Sequence, residues 1–424
     1  LRMELENLGP IRKGEIETKP LTVLVGPNNS GKSYLATLVY SIEKSMERFL
    51  DSLLAFGRVG IPLDEELIAR SIAQELSGEI RRLYSCEIRD LITPGEKEIR
   101  IRVNFPSGDY IVFRGDEEMD AEDSELSSLM SLISEFIENK TGKETKRGKE
   151  RFTEILSEDF WVKKSFYLPA ARSGILHAQR ALISAIVEQS PLLGLRDVRV
   201  PKFPGTVVDF LSEIILLGER RGDDVLRNIA VEYERKLIEG EIKVNVLDQE
   251  VYPRRYQINY LQRLPREMAI PLVRTSSSIM ELTPILLYLR RIVSRGSLLI
   301  IEEPEAHIHP RVQRILASLI TRIVSEDVSV ILTTHSDYFL SSLNNLIISS
   351  SLSEEGLEEM GIDPREVVEP SKVSSYIFER LEDGSYSVKE MKVDEDGIPE
   401  EEFTRVHEAL YEEEMEILDK LEER

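Results

Sequence analysis

The chain has 424 residues, 41% hydrophobic and 31% charged, which is enough for two or three domains and a sizeable core. Its formal net charge of −23 disfavours a broad non-specific nucleic-acid surface but leaves a local basic groove open. No run of 18 apolar residues and no secretory signal pattern is present, so we expect no membrane-spanning helix. Cys86 is the only cysteine, which excludes an internal disulfide and favours a cytoplasmic location.

A phosphate-binding pattern follows the first strands of the chain. Residues 1–25 predict two strands around a turn and then a buried strand at residues 21–25. Residues 26–33 read GPNNSGKS, which fits the P-loop pattern G-x-x-x-x-G-K-[ST]. Residues 34–54 carry apolar side chains at helical spacing. A strand, a glycine-containing loop and a helix in this order predict a nucleotide phosphate site.

The residue types of this loop suit the chemistry of a bound nucleotide. Two glycines let the backbone approach phosphate closely, and the loop N–H groups with the helix N-terminus attract the anion. Lys32 can reach the β- and γ-phosphates, and the Ser33 hydroxyl can ligate Mg²⁺. We expect ATP and phosphate contacts from Gly26, Asn28, Asn29, Ser30, Gly31, Lys32, Ser33 and Tyr34. No aromatic residue precedes the loop, and Arg12 is a further candidate for holding the nucleotide.

The middle of the chain predicts an α/β mixture. Helical spacing covers residues 65–82 and 126–137, and two half-buried strands form a hairpin over residues 99–114. The acidic stretch 115–125 predicts a loop. Residues 140–151 contain six basic side chains and fit either a solvated linker or a phosphate or DNA contact.

A second predicted strand end carries an arginine. Residues 165–168 form a short apolar strand, and Arg172 follows it before a helical pattern. Arg172 therefore points either at a phosphate or partner, or serves the structure. Further on, residues 206–239 predict two helices and residues 241–260 a hairpin.

Two buried strands of the last third end in polar residues. The strand at residues 297–301 leads into Glu302 and Glu303, and the strand at residues 328–333 leads into His335. A P-loop enzyme needs a carboxylate for the metal and a group that orients or deprotonates the attacking water. We assign Glu302 to Mg²⁺ and Glu303 to the water, and we expect His335 to sense the γ-phosphate.

Three further features leave alternatives open. Ser276, Ser277 and Ser278 open a predicted helix, where they either cap it or bind phosphate at its N-terminus. His307 and His309 have a spacing that is weak for zinc. From Arg380 to Arg424 the chain has 17 acidic and 6 basic side chains, which indicates a solvated helix or an interaction tail.

The order of these motifs resembles that of ABC-type ATPase heads, and most closely the branch with SMC, RecF and OLD-type ATPases. Residues 26–33 resemble the Walker A motif of that branch, residues 300–310 its Walker B motif and D-loop, and residues 334–337 its switch histidine segment. Two positions differ. Glu302 stands where the branch usually has Asp, and Ser278 stands at a usual glycine of the signature.

The resemblance implies an α/β head with a mixed sheet, flanking helices and a large helix-rich insertion. It implies that two heads sandwich two ATP molecules, with the P-loop of one facing Ser276, Ser277 and Ser278 of the other in a two-fold pair. Hydrolysis at Glu303 would release this homodimer, and Mg²⁺ is the expected cofactor. We predict a discontinuous head at residues 1–40 and 270–424 and an insertion with hairpins at 41–269.

The expected function is an ATP-driven switch in DNA maintenance or defence against foreign DNA, with a protein partner and with DNA as a possible ligand. An OLD-type nuclease would add a Toprim domain, which has a strand-end Glu and a later Asp-x-Asp motif. The segment Asp394-Glu395-Asp396 imitates the second of these motifs. A P-loop small-molecule kinase would not need the serine segment or His335. A transporter ATPase subunit fits poorly, because this chain has no aromatic residue before the P-loop and carries a long insertion at residues 41–270.

Overall fold

The computed structural model describes residues 1–56, 64–138, 163–179, 203–217, 220–248, 255–262 and 268–422. The strands in these ranges are β1 Arg2–Leu8, β2 Ile11–Glu17, β3 Leu21–Val25, β4 Ile99–Asn104, β5 Tyr110–Gly115, β6 Met119–Glu125, β7 Ser165–Leu168, β8 Gly240–Asp248, β9 Arg255–Gln262, β10 Met268–Pro271, β11 Leu298–Glu302, β12 Ser329–Thr334, β13 Val373–Arg380 and β14 Tyr386–Met391. The helices are α1 Lys32–Phe56, α2 Glu65–Tyr84, α3 Ser127–Glu138, α4 at 172–179, α5 Gly205–Ile215, α6 Asp224–Ile238, α7 Ser277–Arg291, α8 Pro310–Val324, α9 Asp337–Ile348, α10 Glu354–Met360 and α11 Glu401–Glu422.

One mixed sheet of eleven strands organises the described chain, in the order β6-β5-β4-β1-β2-β14-β13-β3-β12-β11-β7. The strands β13, β3, β12, β11 and β7 run parallel to one another, whereas β1, β2, β4, β5 and β6 pair antiparallel. The predicted α/β class with a mixed sheet and flanking helices is confirmed.

Helices cover both faces of this sheet because its central strands are apolar on both sides. In β11, Leu299 and Ile301 pack into one core and Leu298 and Ile300 into the other. Helices α1, α2 and α3 contribute to the second of these cores, and α5 to α9 contribute to the first. Because both faces are covered, β3, β11 and β12 are buried at every position instead of at alternate ones.

The position of β6 corrects the prediction for residues 115–125. We expected an acidic loop, but Met119–Glu125 pairs antiparallel with β5 along the edge of the sheet. Met119 is buried while most of the charged side chains of the strand are at least partly exposed to solvent. Backbone pairing with β5 and one buried anchor therefore outweigh the low strand propensity of an acidic segment.

Four strands from the expected insertion belong to the eleven-stranded sheet. β4, β5 and β6 continue the sheet beyond β1, and β7 forms its other edge beside β11. A separate three-stranded sheet, β10-β9-β8, contains the hairpin predicted at residues 241–260. β4, β5, β6 and β7, which all come from residues 41–269, thus belong to the same sheet as the strands of residues 1–40 and 270–424, and the domain boundaries remain a proposal.

Two further predictions concern the surface. The basic run at residues 140–151 lies outside the described residues. Among the helices of the described ranges, none is long and apolar enough to cross a membrane.

Candidate functional site

The site is built where parallel strands end side by side. β12 lies between β3 and β11, with Val25 opposite Thr334 and Glu302 opposite Thr333. The P-loop, Glu302 and His335 therefore lie at the same carboxyl ends of the strands, although the P-loop is about 300 residues before the other two in the chain. In open parallel sheets, ligands bind outside the carboxyl ends of the strands, and these three groups lie there.

The backbone of the loop requires its glycines. Gly31 has a φ of +105°, and a Cβ atom there would lie 2.7 Å from the side chain of Ile11. Gly26 has a φ of +153°, and a Cβ atom there would lie 3.1 Å from Phe378. Asn29 also has a positive φ, 62°, which asparagine tolerates better than most residues. The loop is wrapped tightly against β2 and β13, and only small residues fit at its two glycines.

Lys32 directs its ammonium group into the loop. Its Nζ atom donates to the carbonyl oxygens of Gly26 at 2.6 Å and of Pro27 at 2.7 Å. The Oγ atom of Ser30 is buried, and it has no hydrogen-bond partner among the described residues. An ammonium held inside the loop and a buried hydroxyl without a partner match what a phosphate group would engage.

The other predicted loop residues face outward. Asn28, Asn29 and Ser33 are exposed. Tyr34 is 37% exposed, and its ring lies against Gly9 and 5.7 Å from the ring of Tyr84, centroid to centroid. All eight predicted phosphate-contact residues therefore belong to one loop and the first helical residues after it.

Glu302 ends β11 with a nearly buried side chain, 8% exposed. Its Oε2 atom accepts a hydrogen bond of 3.0 Å from the backbone N–H of Ala170, which follows β7. The glutamate side chain is one methylene longer than that of aspartate, and with this length it reaches the loop that follows β7. The Tyr167 hydroxyl also interacts with Glu302, so the carboxylate is anchored at the strand end by groups from β7 and the loop that follows it.

Glu303 is held in an unusual backbone conformation, with a φ of 41°. Its N–H donates to the carbonyl oxygen and to the hydroxyl of Thr333, both at 3.1 Å. Non-glycine residues with positive φ cluster at functional sites because the surrounding structure must impose the strain. Here the neighbouring strand β12 imposes it, and the Glu303 side chain is one-third exposed at the sheet edge.

His335 lies beside this carboxylate. Its Nδ1 atom is 3.6 Å from Oε1 of Glu303 and 3.8 Å from Oε1 of Glu305, and its side chain is 44% exposed. Glu305 is buried and accepts hydrogen bonds from the Thr334 hydroxyl at 2.6 Å and from the His335 N–H at 3.1 Å. Burial raises the pKa of Glu305 above its usual value. Glu305 thus fixes the backbone of the histidine, which leaves the imidazole free to face the site.

Arg172 lies behind the site. Its side chain is fully buried, and it donates to the carbonyl oxygens of Glu302 at 2.7 Å and Glu303 at 3.1 Å. Burial lowers its pKa, and the nearby carboxylates, Glu281 first, act in the opposite direction. Of our two interpretations of Arg172, the geometry favours the structural one, because its guanidinium contacts the strand end from within the protein.

Arg12 is similarly occupied by protein groups. Its guanidinium pairs with Glu96 and, at 2.7 Å, with Asp383. Two carboxylates therefore compete with any nucleotide for this side chain. Its tentative role in holding ATP stays a prediction that the geometry does not strengthen.

The serine segment forms the start of α7. Ser276 is its N-cap, with the hydroxyl accepting from the N–H of Ile279 at 3.4 Å. Ser276 and Ser277 are exposed and Ser278 is half-buried. Capping is thus present, and the exposed N-terminus leaves the phosphate-binding alternative open as well.

Two other candidates have local structural roles. Nδ1 of His309 accepts from the N–H of Arg311 at 3.2 Å and caps α8. Asp394 and Asp396 lie in a tight turn that is closed by a bridge between Asp394 and Gly397. Neither feature adds to the strand-end site.

The residues present fit a bound ATP with Mg²⁺. Mg²⁺ in such sites is held by one or two protein oxygens together with phosphates and water, rather than by a protein cage. The exposed Ser33 hydroxyl and the anchored Glu302 carboxylate are the oxygens that would hold it. In the described ranges, no group of three or more His, Cys, Asp or Glu residues is arranged to hold a metal ion.

Sequence reasoning missed several residues of the site. Glu305, Thr333 and Glu281 position the predicted groups, but none belongs to the part of the motif that we assigned a role. Glu305 carried the clearest signal, since a third acid two residues after Glu303 is unusual at a strand end. The contacts of Arg172 with Glu281, Glu302 and Glu303 carried no signal, because these residues are more than 100 positions away in the chain.

Comparisons with known proteins agree with this geometry. Residues 219–340 match a family model described as an AAA ATPase domain. This segment contains the serine segment, Glu302, Glu303 and His335, and it lies outside the P-loop. No curated protein matches the chain.

Solved structures that resemble the chain include heads of Smc proteins. One is an Smc head bound to the C-terminal winged-helix domain of ScpA, with 14% identity, 92% of this chain and 97% of the other covered, and a TM-score of 0.47. Another is an Smc head with an extended coiled coil bound to the C-terminal domain of ScpA from Pyrococcus furiosus, with 12% identity, 99% and 98% covered, and a TM-score of 0.43. A third is the SMC head domain from Thermotoga maritima, with 9% identity, 92% and 98% covered, and a TM-score of 0.38.

The TM-scores of these three structures are all below 0.5. The family match rests on the sequence and covers the part of the chain that supplies the acids and the histidine of the site. With the P-loop placed beside them by β3, it confirms the predicted resemblance to P-loop ATPases.

Proposed function

We propose that this protein hydrolyses ATP to ADP and phosphate. The observation that supports this most strongly is the juxtaposition of Lys32 in the P-loop with Glu302, Glu303 and His335 at the ends of three adjacent parallel strands. A phosphate cradle, a metal carboxylate and a second carboxylate next to a histidine are the parts that phosphoryl transfer to water requires.

Each residue has a separate task in this proposal. The loop N–H groups and Lys32 bind the phosphates, and Ser33 and Glu302 hold Mg²⁺, which neutralises phosphate charge when it is bound. Glu303 orients the attacking water and accepts its proton. His335, held beside Glu303 by the Glu305 contact with its backbone, donates toward the γ-phosphate oxygens.

Removal of Mg²⁺ is the direct test of this activity. We expect the purified protein to release phosphate from ATP with Mg²⁺, and excess EDTA to abolish the release, because the metal stabilises the negative charge of the transition state. Restoring Mg²⁺ should restore the rate. No phosphate release with Mg²⁺, or an equal rate in EDTA, would contradict the proposal.

We further propose that ATP brings two heads together, as the resemblance implies. Support comes from the start of α7, where Ser276 and Ser277 are exposed and the helix N-terminus can face the phosphates of a second copy. The expected pair is a homodimer. The single cysteine supports a cytoplasmic location. The resemblance supports a role in DNA maintenance or in defence against foreign DNA.

A protein partner is supported by α11. Between Thr404 and Leu421 every side chain is exposed, and Val406, Leu410, Ile417 and Leu421 form an apolar stripe at helical spacing. Glu408, Glu412 and Asp419 lie on the opposite face, together with Met415. We infer a partner with an apolar groove and a basic rim, because a second acidic helix or an anionic membrane would be repelled.

The double substitution Leu410→Glu with Ile417→Glu tests this surface. We expect it to release a protein that co-purifies stoichiometrically with the wild type from its own cells, while Glu408→Gln on the opposite face retains that protein. The same set of co-purifying proteins with all three forms would contradict the assignment. Loss of a homodimer in the double variant would instead identify the groove as a second copy of this chain.

A further inference from the structure

Arg172 and Glu281 form a buried ion pair that joins the start of α7 to the site. Both side chains are fully buried, and Nε of Arg172 lies 3.1 Å from Oε2 of Glu281. The same Nε donates to the backbone carbonyl of Glu281 at 3.2 Å. Glu281 is only three residues beyond Ser278 and lies in the second turn of α7. This contact therefore fixes the helix turn next to the serine segment.

The other end of the same guanidinium contacts the strand ends. Nη1 donates to the carbonyl oxygens of Pro169 at 3.0 Å and Glu302 at 2.7 Å, and Nη2 donates to that of Glu303 at 3.1 Å. One planar side chain thus contacts the loop after β7, the end of β11 and the start of α7. Its fork has a fixed geometry, so a displacement of one contact moves the others.

Ser173 strengthens the same connection. Its N–H and its hydroxyl both donate to Oε1 of Glu281, at 3.0 Å and 2.6 Å. The Glu281 carboxylate is therefore held by two consecutive residues of the loop and helix that follow β7. Ala170 in this loop also donates to the Glu302 side chain. The segment that follows β7 therefore contacts the Glu302 carboxylate on one side and α7 on the other.

We propose that Arg172 and Glu281 are positioning residues that make the orientation of Glu303 depend on the position of the Ser276–Ser278 segment. A phosphate bound at the start of α7 then sets the backbone of Glu303 through Glu281 and Arg172. In the two-headed arrangement, occupancy of one ATP site controls the water-orienting carboxylate of the other. This inference rests on the proposed ATPase function.

A purely structural ion pair would make a different prediction. Removing one partner from a buried pair destabilises the fold, but it leaves turnover per folded molecule unchanged. The chain offers a matched control at the other end of α7. Arg290 pairs with the nearly buried Glu234 at 3.0 Å and donates to the carbonyl of Ile242, far along the helix from the serine segment.

The experiment compares Glu281→Gln with Glu234→Gln and the wild type, measuring kcat, KM for ATP and the melting temperature. We expect Glu281→Gln to lower kcat about 10- to 100-fold, because a small misplacement of a reacting group has an effect of this size. The KM for ATP should stay within about twofold of the wild-type value, because the P-loop is unchanged. Glu234→Gln should melt earlier than the wild type but keep its kcat. Ser173→Ala, a milder change, should lower kcat by a smaller factor, and Arg172→Lys should not retain the wild-type rate because it lacks the fork.

The outcomes separate the two proposals. A normal kcat in Glu281→Gln and Ser173→Ala beside an active wild type overturns the positioning role and leaves the ATPase function intact. Equal loss of kcat in Glu281→Gln and Glu234→Gln also overturns it, because the effect would then be general destabilisation. An inactive wild type removes both the function and this inference. If Glu281→Gln does not fold, Ser173→Ala decides.

Discussion

Glu303→Gln is expected to abolish most ATP turnover while ATP binding persists. The amide keeps the size of the side chain, but it cannot accept the proton of the attacking water. A positioned general base typically contributes about 10²- to 10⁴-fold in rate, and we expect kcat to decrease by a factor in that range. The P-loop and Lys32 are unchanged, so the Kd for ATP should stay close to the wild-type value. Phosphate release and equilibrium binding of labelled ATP measure the two quantities.

A control at a distance shows whether the effect is specific. Glu326→Gln makes the same chemical change at a glutamate that pairs with Arg322 at the end of α8. It should leave both kcat and Kd unchanged. If Glu303→Gln also kept its turnover, Glu303 would lose the role of base, and Glu305, whose side chain also lies within 4 Å of His335, would be the next candidate.

Lys32→Ala is expected to weaken ATP binding itself. The Lys32 ammonium is the cation inside the loop, and hydrogen bonds between charged groups contribute roughly 1.5–3 kcal/mol each. Loss of that contact corresponds to an increase in Kd of about 10- to 100-fold. Isothermal titration of ATP with Mg²⁺ measures the change directly.

Lys44→Ala is the matched control for this substitution. Lys44 lies on the same helix, α1, and pairs with Glu47 rather than with the loop. It should bind ATP as the wild type does. Wild-type affinity in Lys32→Ala would exclude residues 26–33 as the phosphate site, whatever the turnover of the protein.

The chemistry of the site could be predicted where it is local in the chain. The P-loop is a continuous segment between a strand and a helix, and its glycines have the positive φ values that the motif requires. Glu302 and His335 follow apolar strands, and parallel neighbours bring their ends together. The buried apolar strands therefore predicted both the sheet and the strand ends at which the site lies.

The supporting contacts could not be predicted in the same way. Arg172 reaches Glu281 and Glu302, each more than 100 residues away, and nothing in the spacing pairs them. Arg12 looked available for a nucleotide, but Glu96 and Asp383 occupy it from two distant loops. Such pairs depend on how the layers pack, which local patterns do not specify.

The edge of the sheet shows the same limit. Residues 119–125 have the composition of a loop, yet pairing with β5 makes them a strand. Strand propensity reflects burial and cross-strand neighbours more than the isolated residue, so an acidic edge strand is difficult to recognise before its partner is known.

The measurement that most directly tests the account is the molar mass of Glu303→Gln by light scattering, with and without ATP and Mg²⁺. Without turnover, bound ATP should persist, so we predict a monomer that becomes a dimer when ATP is added. The mass should return to that of the monomer when Lys32→Ala is added to the same chain. A mass that does not change with ATP, in a variant that demonstrably binds it, would contradict the ATP-driven pairing of two heads.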